Sequence, residues 1–370
     1  MGYFLKLGAF GFGGPIALVS YMHRDLVEKR RWVTETQYAE GLALSQLAPG
    51  PLAAQLAIYL GWVKAGVKGA TLVGLAFILP SFLMVLILAE LYLHYGGLDW
   101  MQKASYGISA AIIGIIAMGA YKLTKKSLRK DYLLWTLFAI SAGVTFGTES
   151  EIVWVFIGCG FVAMFIKTGF SINTPPASLA GFFYGGWQAG LHGAATSKQL
   201  LDLFWFFTKA GAFVFGSGLA IVPFLHGGVV KDFQWLTEQQ FFDAIAVAMI
   251  TPGPVVITVG FIGYLAAGMS GALLAAAGVF LPCYLFVVIP APYFNKYAKN
   301  PKIKAFVDGV TAAAIGAIAG AAMVLGKRAI VDFPTMLLCV VTLITLLTTK
   351  KIPEPVLIII AGIAGMILAK

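Results

Sequence analysis

Uncharged apolar stretches long enough to cross a bilayer restrict this chain more than any other feature. About 20 apolar residues span a hydrocarbon core of roughly 30 Å. Four stretches approach or exceed that length: Gly69 to Ala89, Ala104 to Tyr121, Gly271 to Phe294 and Gly309 to Gly326. Shorter ones cover 132–148, 152–166, 333–349 and 355–369. Since only 11% of the residues are charged, against about 25% in soluble domains, we predict an all-α polytopic membrane protein.

The second constraint is an internal duplication. Residues 4–51 and 207–254 share 19 identities in 48 aligned positions, and both segments end in the triplet Pro-Gly-Pro. After the triplets the offset between the two copies falls from 203 to 202 residues, and the similarity continues. We predict a first membrane repeat at 1–167, a linker at 168–198 and a second membrane repeat at 199–370.

Each half is predicted to contain a leading helix, two short helical pieces flanking the triplet, a long span and three further spans. The short pieces are Thr34–Ala48, Pro51–Val63, Thr237–Thr251 and Pro254–Ala266. "TETQ" and "TEQQ" begin the first piece of each pair with a capping box. The two pieces of a pair form either a hairpin that enters and leaves on one side or one broken helix that crosses the membrane.

Positive loops predict the orientation, because Lys and Arg are retained on the cytoplasmic side. In the first half they gather between the fifth and sixth helical pieces, and in the second half one loop earlier, after the long span, which is the fourth piece: Lys122, Lys125, Lys126, Arg129 and Lys130, then Lys296, Lys299, Lys302 and Lys304. This shift predicts an inverted-topology repeat. Each half then has about five full spans plus a broken Pro-Gly-Pro hairpin, and the positive loops favour the hairpin over the crossing helix.

Matched helix breaks inside a membrane protein predict an anion site. Unpaired backbone groups are tolerated in hydrocarbon only against protein or a watery cavity, and helix N-termini direct free N–H groups and positive dipole ends at a ligand. The predicted substrate-binding residues are the two triplets, the glycine-rich breaks of the leading helices and nearby hydrogen-bonding side chains: Pro49, Gly50, Pro51, Pro252, Gly253, Pro254, Gly13, Gly14, Gly216, Ser217, Gln46 and Thr251. The glycines are equally compatible with close helix packing.

Charged residues at equivalent positions of the halves are further candidates. Lys6 and Lys209 each lie a few residues before a glycine-rich break and either attract a dianion or reach to the membrane interface. Glu40 and Asp243 each lie nine residues before a triplet. A carboxylate inside the membrane is a candidate for proton coupling, whereas one near the interface is a solvated or capping residue.

Other classes of function find little support in the sequence. We find no HExxH, GxSxG, Walker-type or Cys/His metal-binding pattern, so we predict neither an enzyme, nor a cofactor, nor a metal site. The net charge of +10 lies mostly in short loops between spans, which argues against a nucleic-acid partner. A lipid bilayer is the predicted environment, and a homodimer is left open.

The motifs "FGFGGP", "RRWVTETQYAEGLALSQLAPGP", "FGSG" and "MITPGP" resemble the chromate ion transporter family in its long two-domain form, over essentially the whole chain. The resemblance implies export of chromate across the bacterial inner membrane, with the proton gradient as energy source and sulfate as a structural mimic. It implies the same glycine-rich and Pro-Gly-Pro positions as functional residues.

We therefore predict a multi-pass secondary transporter, a chromate antiporter that works by alternating access at the interface between the repeats. A sulfate or other oxyanion carrier and a passive anion channel are the nearest alternatives. A receptor or scaffold that transports nothing is the more distant one.

Overall fold

A computed structural model describes residues 1–11, 14–95, 99–149, 152–168, 197–213, 215–216, 221–294, 300–349 and 352–369. These residues are almost entirely helical, and four helices are long and apolar enough to cross a membrane by length and composition: Leu52–Tyr95, Gln102–Ser127, Val255–Tyr293 and Pro301–Ala329. Many large apolar side chains of the long helices face outward. The chain is therefore a multi-pass helical membrane protein, as predicted. Most of the predicted linker, residues 169–196, lies outside the described residues.

The described residues of the first half form seven α-helices in chain order: α1 (Gly2–Phe10), α2 (Gly14–Met22), α3 (Glu35–Leu47), α4 (Leu52–Tyr95), α5 (Asp99–Ser127), α6 (Tyr132–Thr148) and α7 (Val153–Thr168). The second half repeats them as α8 (Ser197–Phe213), α9 (Ile221–His226), α10 (Glu238–Ile250), α11 (Thr258–Val288), α12 (Pro301–Ala329), α13 (Phe333–Thr348) and α14 (Glu354–Leu368). A turn of π-helix follows both α2 and α9, at His23–Lys29 and Gly227–Asp232.

The short helices that precede the triplets begin as predicted. The side-chain oxygens of Thr34 and Thr237 accept the N–H groups of Gln37 and Gln240, and each Gln side chain accepts the N–H of its Thr in return. Both capping boxes are thereby confirmed. α3 and α10 then end at Leu47 and Ile250, two residues before the first proline of each triplet, because a proline clashes with the preceding turn and disfavours helical geometry at the residue before it.

The long helix α4 is two antiparallel arms, not one straight rod. Its backbone leaves helical geometry at Ala65 and Gly66, and Gly61 then lies directly against Gly69 across the turn. Residues 52–64 therefore form a short arm and residues 67–95 a long one. α11 turns in the same way at 267–268, and Gly263 contacts Gly271 there.

The short arm of α4 also folds back along α3. The ring of Tyr59 packs on Gly41, and its hydroxyl donates to Oε2 of Glu40 at 3.2 Å. Contacts between residues 40–41 and 59 place the triplet at the tip of a helical hairpin, because an end-to-end broken helix would hold those positions about 27 Å apart at 1.5 Å per residue. In the second half α10 likewise packs against α11.

The outer helices are exchanged between the halves. α5 of the first half packs against α13 and α14 of the second, while α12 of the second half packs against α6 and α7 of the first. Glycines permit these close contacts: Gly107 meets the backbone at Gly365, and Gly316 meets the carbonyl of Phe138. The two halves are therefore interlocked and do not form two separate bodies.

Candidate functional site

The interrupted segments of the two halves meet inside the protein. Gly50–Pro51, in the first triplet, forms a two-residue parallel ladder with Phe215–Gly216, in the break of the second leading helix. In the reciprocal position the N–H of Gly253 donates to the carbonyl of Gly11 at 3.1 Å. Each Pro-Gly-Pro tip is thus hydrogen-bonded to the broken leading helix of the other half. We call this meeting point of the four breaks the crossing.

Only glycine fits the middle of each triplet. Gly50 has φ of +140° and Gly253 of +101°, backbone conformations that side chains rarely adopt. A Cβ on Gly253 would collide with Oγ of Ser81, and a Cβ on Gly50 would collide with the amide of Gln55. These glycines therefore allow the crossing to close to backbone distance.

Ser81 and Cys283 hold the crossing from the long arms of α4 and α11, at equivalent positions in the two halves. The Ser81 hydroxyl donates to the carbonyl of Gly8 at 3.0 Å and lies against Gly253. The Cys283 thiol lies 3.1 Å from the carbonyl of Val279 in its own helix and 3.7 Å from the carbonyl of Gly211, and it lies against Gly50. Each arm thereby ties its own leading helix to a Pro-Gly-Pro tip.

Hydrogen-bonding side chains reinforce both tips. Gln55, which is fully buried, donates from Nε2 to the carbonyl of Pro49 at 2.6 Å. Thr251, also buried, donates to the carbonyl of Val247 at 2.6 Å. The helix that starts at Leu52 presents its first N–H groups next to the crossing, in a buried position, and an α-helix supplies no internal acceptors for those groups.

The two equivalent carboxylates have different surroundings. Asp243 is buried and accepts hydrogen bonds from the Tyr92 hydroxyl at 2.7 Å and from the Ser105 hydroxyl. Glu40 is only half-buried and accepts one bond, from Tyr59 of its own hairpin. The residues aligned with Tyr92 and Ser105 are Phe294 and Val307, which lack hydroxyl groups. The hydroxyl pair around Asp243 is therefore particular to one half.

The remaining predicted residues are distributed around the crossing. Lys6, Gln46 and Lys209 lie on exposed faces of α1, α3 and α8. Gly14 begins α2, while Gly13 and Ser217 lie outside the described residues. Sequence reasoning did not single out Ser81, Tyr92, Cys283 or Ser105. Ser81 and Cys283 could have been found from the sequence, because each is a small polar residue at the same position of a long arm. Tyr92 and Ser105 could not, because their aligned residues, Phe294 and Val307, are apolar.

The chemistry available at the crossing is that of hydrogen-bond donors and helix N-termini in an apolar interior. Among the described residues, no group of three or more His, Cys, Asp or Glu side chains is arranged to hold a metal ion. Helices interrupted at matched positions, with the interruptions meeting in the interior, are typical of transporters that bind a solute at the interface of repeats. Fold and site together define a membrane transporter.

The chain belongs to the chromate transporter family, whose model matches residues 1–164 and 201–366. It is therefore a transporter and not an enzyme. It is 59% identical over 373 residues to the chromate transport protein of Cupriavidus metallidurans, covering 99% of this chain and 91% of that protein. It is 58% identical over 374 residues to the probable chromate transport protein of Synechococcus elongatus, with 99% and 94% covered.

Two more distant relatives match over most of their length. The chromate transport protein of Pseudomonas aeruginosa is 29% identical over 379 residues, which cover 98% of this chain and 90% of that protein. An uncharacterised transporter of Methanocaldococcus jannaschii is 27% identical over 376 residues, with 99% and 92% covered. No solved structure matches the chain.

Proposed function

We propose that this protein is a proton-coupled secondary transporter that exports chromate across the bacterial inner membrane. The observation that carries the proposal is the crossing, where each Pro-Gly-Pro tip is hydrogen-bonded to the broken leading helix of the other half. The names of relatives with 59% and 58% identity over 99% of the chain support chromate as the substrate.

The proposed architecture is an inverted repeat, with residues 1–167 and 199–370 as the two halves and 168–198 as the linker. The Pro-Gly-Pro hairpins then re-enter the membrane from opposite sides, and their tips meet near the midplane. Exposed Lys64 and Lys68, on either side of the turn in α4, suit an interface position about 20 Å from the first tip, at 1.5 Å per residue over the short arm.

The proposed site is the crossing itself. Pro49, Gly50, Pro51, Gly216, Pro252, Gly253 and Pro254 shape it, and Gly13, Gly14, Ser217 and Thr251 are further members. A tetrahedral dianion is stabilised there by backbone N–H groups and helix dipoles, as at other helix N-termini. Lys6, Gln46 and Lys209 lie on exposed faces, and we assign them the weaker role of attracting the anion toward the crossing through long-range attraction.

For proton coupling we favour Asp243 over Glu40. Asp243 is buried, and its two hydroxyl partners come from different helices, α4 and α5. A proton on this carboxyl changes which of these hydrogen bonds it accepts, so protonation and helix packing are linked. Among the described residues the Glu40 carboxylate accepts its hydrogen bond from Tyr59 of its own hairpin, so a proton there acts within that hairpin and on no hydrogen bond to the surrounding helices.

Ligand-dependent thermal stabilisation tests the substrate. A ligand that binds only the folded state raises its melting temperature, by an amount that corresponds to about 2.7 kcal/mol at 100 times Kd. We expect chromate to stabilise the purified protein, and replacement of residues 252–254 by alanines to abolish that shift. Stronger stabilisation by sulfate, molybdate or phosphate would assign a different oxyanion, and no stabilisation by any of the four would refute the site.

Proteoliposomes test the coupling. We expect chromate uptake driven by a pH gradient in the parent protein and in Glu40→Gln, and loss of this coupling in Asp243→Asn. Coupled uptake that survives in Asp243→Asn would contradict the proposed proton step. Chromate flux that does not saturate and needs no proton gradient would identify a passive channel.

A further inference from the structure

The two halves are alike in sequence, yet among the described residues only the second Pro-Gly-Pro hairpin is covered by the outer helices, which are α5–α7 and α12–α14. α10 packs against α5 and α14, and α9 packs against α12. In the part of the chain that the structure describes, no comparable packing joins α3 to α12 or α7, or α2 to α5. The second hairpin is therefore closed on its outer side, and the first is open.

A cavity marks the open side. Its volume is about 510 Å³, and its lining includes Val19, His23, Tyr38 and Leu42. The aligned residues of the second half are each at most 3% exposed: Val222, His226, Phe241 and Ile245. Val19, His23 and Leu42 are partly exposed and Tyr38 is buried, so three of the four positions differ, being partly open in the first half and packed in the second.

An ion-pair network fastens the closed side. Arg328, in the last turn of α12, binds Oε1 of Glu238 at the start of α10 and Oε2 of Glu149 at the end of α6, the latter at 2.7 Å. Lys231 also pairs with Glu149, and His226 lies 2.7 Å from the Glu238 carboxylate. The guanidinium therefore holds the base of the second hairpin against two outer helices, one from each half.

The first half carries counterparts of Arg328 and Glu238, although not of Glu149, whose aligned positions hold Thr349 and Lys350, and the two counterparts are apart. Lys126 aligns with Arg328, since α5 and α12 match residue for residue at an offset of 202, and Glu35 aligns with Glu238. Glu35 is bound to His23 at 3.0 Å, while Lys126 is exposed and makes no ion pair with any of the described residues. Lys126 and Glu35 thus carry opposite charges, and the residues aligned with them, Arg328 and Glu238, form an ion pair.

Helix α5 connects the two sides mechanically. Its Ser105 hydroxyl bonds to Asp243 of the closed hairpin, and Lys126 lies at its other end, about 32 Å away at 1.5 Å per residue. If the two halves exchange their arrangements, Lys126 reaches Glu35, and the packing of α5 on α10, with the bond from Ser105 to Asp243, is lost. Closing the first side and releasing the second are then one movement.

We propose that Arg328 and Lys126 are positioning residues that fasten the two hairpins alternately during transport. In the state described here Arg328 holds Glu238 and the first side is open. In the opposite state Lys126 holds Glu35, Arg328 is released and the second side is open. This rests on the proposed function as a carrier, and it assigns the residues that decide which side of the crossing is accessible.

Cysteine accessibility tests the alternation. Leu42→Cys reports the first side and Ile245→Cys the second, at aligned positions, and labelling with a hydrophilic maleimide is followed in detergent. The native Cys159, Cys283 and Cys339 are buried, so the parent protein gives the background. Each reporter is combined separately with Arg328→Gln and Lys126→Gln, which remove one positive charge each.

We expect opposite effects from the two charge removals. Arg328→Gln raises the labelling rate at position 245 and lowers it at 42, whereas Lys126→Gln lowers it at 245 and raises it at 42. Each change is about threefold to fivefold, as expected for one partly exposed ion pair in a two-state equilibrium. Glu238→Gln should reproduce Arg328→Gln, and Arg328→Lys should remain close to the parent.

A purely structural role for these residues predicts a different result. Loosened packing would raise labelling at both reporters in both variants, and changes of the same sign, or none, would overturn the proposal. Lys327→Gln, next to Arg328 but outside the network, is the matched control. If labelling alternates while chromate gives no thermal stabilisation, the alternation stands and the substrate assignment fails. If chromate stabilises the parent while labelling does not alternate, the substrate stands and this proposal fails.

Discussion

Substitution of Gly253 by alanine is the sharpest test of how the crossing is built. The backbone at Gly253 has φ of +101°, and a methyl group there would meet Oγ of Ser81 and, at 3.2 Å, the carbonyl of Gly8. The same N–H that anchors this tip to Gly11 must then move with the backbone. A single added carbon therefore acts on both contacts that join the second tip to the first half.

The magnitude follows from two costs. An alanine in a sparsely populated conformation of this kind costs about 1–3 kcal/mol. Displacement of Ser81 breaks its hydrogen bond to Gly8, worth about 0.5–1.5 kcal/mol. We expect Gly253→Ala to lower the free energy of unfolding by about 2–4 kcal/mol and to reduce chromate transport in parallel.

Two control glycines separate strain from collision. Gly268 has φ of +62° and ψ of −153°, with no atom within 4 Å of an added Cβ, so Gly268→Ala should cost the strained backbone conformation alone, about 1–3 kcal/mol. Gly119, inside α5, has open space as well and no positive φ, and Gly119→Ala should be neutral or stabilising. The melting temperatures of the three variants in detergent rank the destabilisation, which should be largest for Gly253→Ala and smallest for Gly119→Ala.

A double-mutant cycle with Ser81→Ala isolates the collision. Ser81→Ala should cost less in the Gly253→Ala background than in the parent, because the hydroxyl that collides with the new methyl group is absent. Equal costs in both backgrounds, or Gly253→Ala as mild as Gly268→Ala, would refute the proposed geometry of the crossing.

Three further outcomes are expected. Thr34→Ala and Thr237→Ala should each destabilise the protein by about 1 kcal/mol in thermal unfolding, since each removes an N-cap acceptor, and an unchanged melting temperature would contradict the capping. The Lys167 ammonium and two backbone N–H groups lower the pKa of Asp131. The ionised Asp131 carboxylate therefore stabilises the folded protein above the pKa of the unfolded state, and this contribution is lost as pH falls through the lower pKa of the folded state. Asp131→Asn should lower the melting temperature at neutral pH and differ little from the parent in strong acid. Gly8→Ala places a methyl group on a backbone carbonyl of α4, and it should reduce the yield of folded protein far more than Gly119→Ala, as measured by size-exclusion chromatography.

Local features of this fold could be predicted because their causes lie within a few residues. The capping boxes at Thr34 and Thr237 and the helix ends before the triplets follow from side-chain chemistry over one turn. The turn of α4 at 65–66 falls between the predicted short piece and the predicted long span, where Gly66 and two lysines interrupt the apolar pattern. Capping residues, proline, glycine and the pattern of apolar and charged residues were sufficient to predict these elements.

The packing between distant segments could not be predicted in this way. α5 and α12 are both apolar and rich in small residues, so nothing within either helix indicates that each packs against the outer helices of the other half. The reciprocal hydrogen bonds of the crossing join residues more than 150 positions apart. Ser81 and Cys283 were overlooked because a small residue inside an apolar helix usually serves packing alone.

The differing surroundings of equivalent residues also lie beyond the sequence. Glu40 and Asp243 are aligned carboxylates, but only Asp243 meets hydroxyls from other helices. Lys6 and Lys209 were predicted to bind the substrate because they occupy equivalent positions in the two halves, and the structure places both on exposed faces. Duplication reveals which positions correspond, whereas the packing of other segments decides what each position contacts.

The central claim is that a chromate ion binds where the four breaks meet, and anomalous X-ray diffraction at the chromium absorption edge tests it most directly. Crystals of the purified protein soaked in chromate should show one anomalous peak between Gly50 and Gly253, within hydrogen-bond distance of the adjoining backbone N–H groups. The peak should be absent after replacement of residues 252–254 by alanines. A chromium peak elsewhere in the protein, with none at the crossing, would contradict the account.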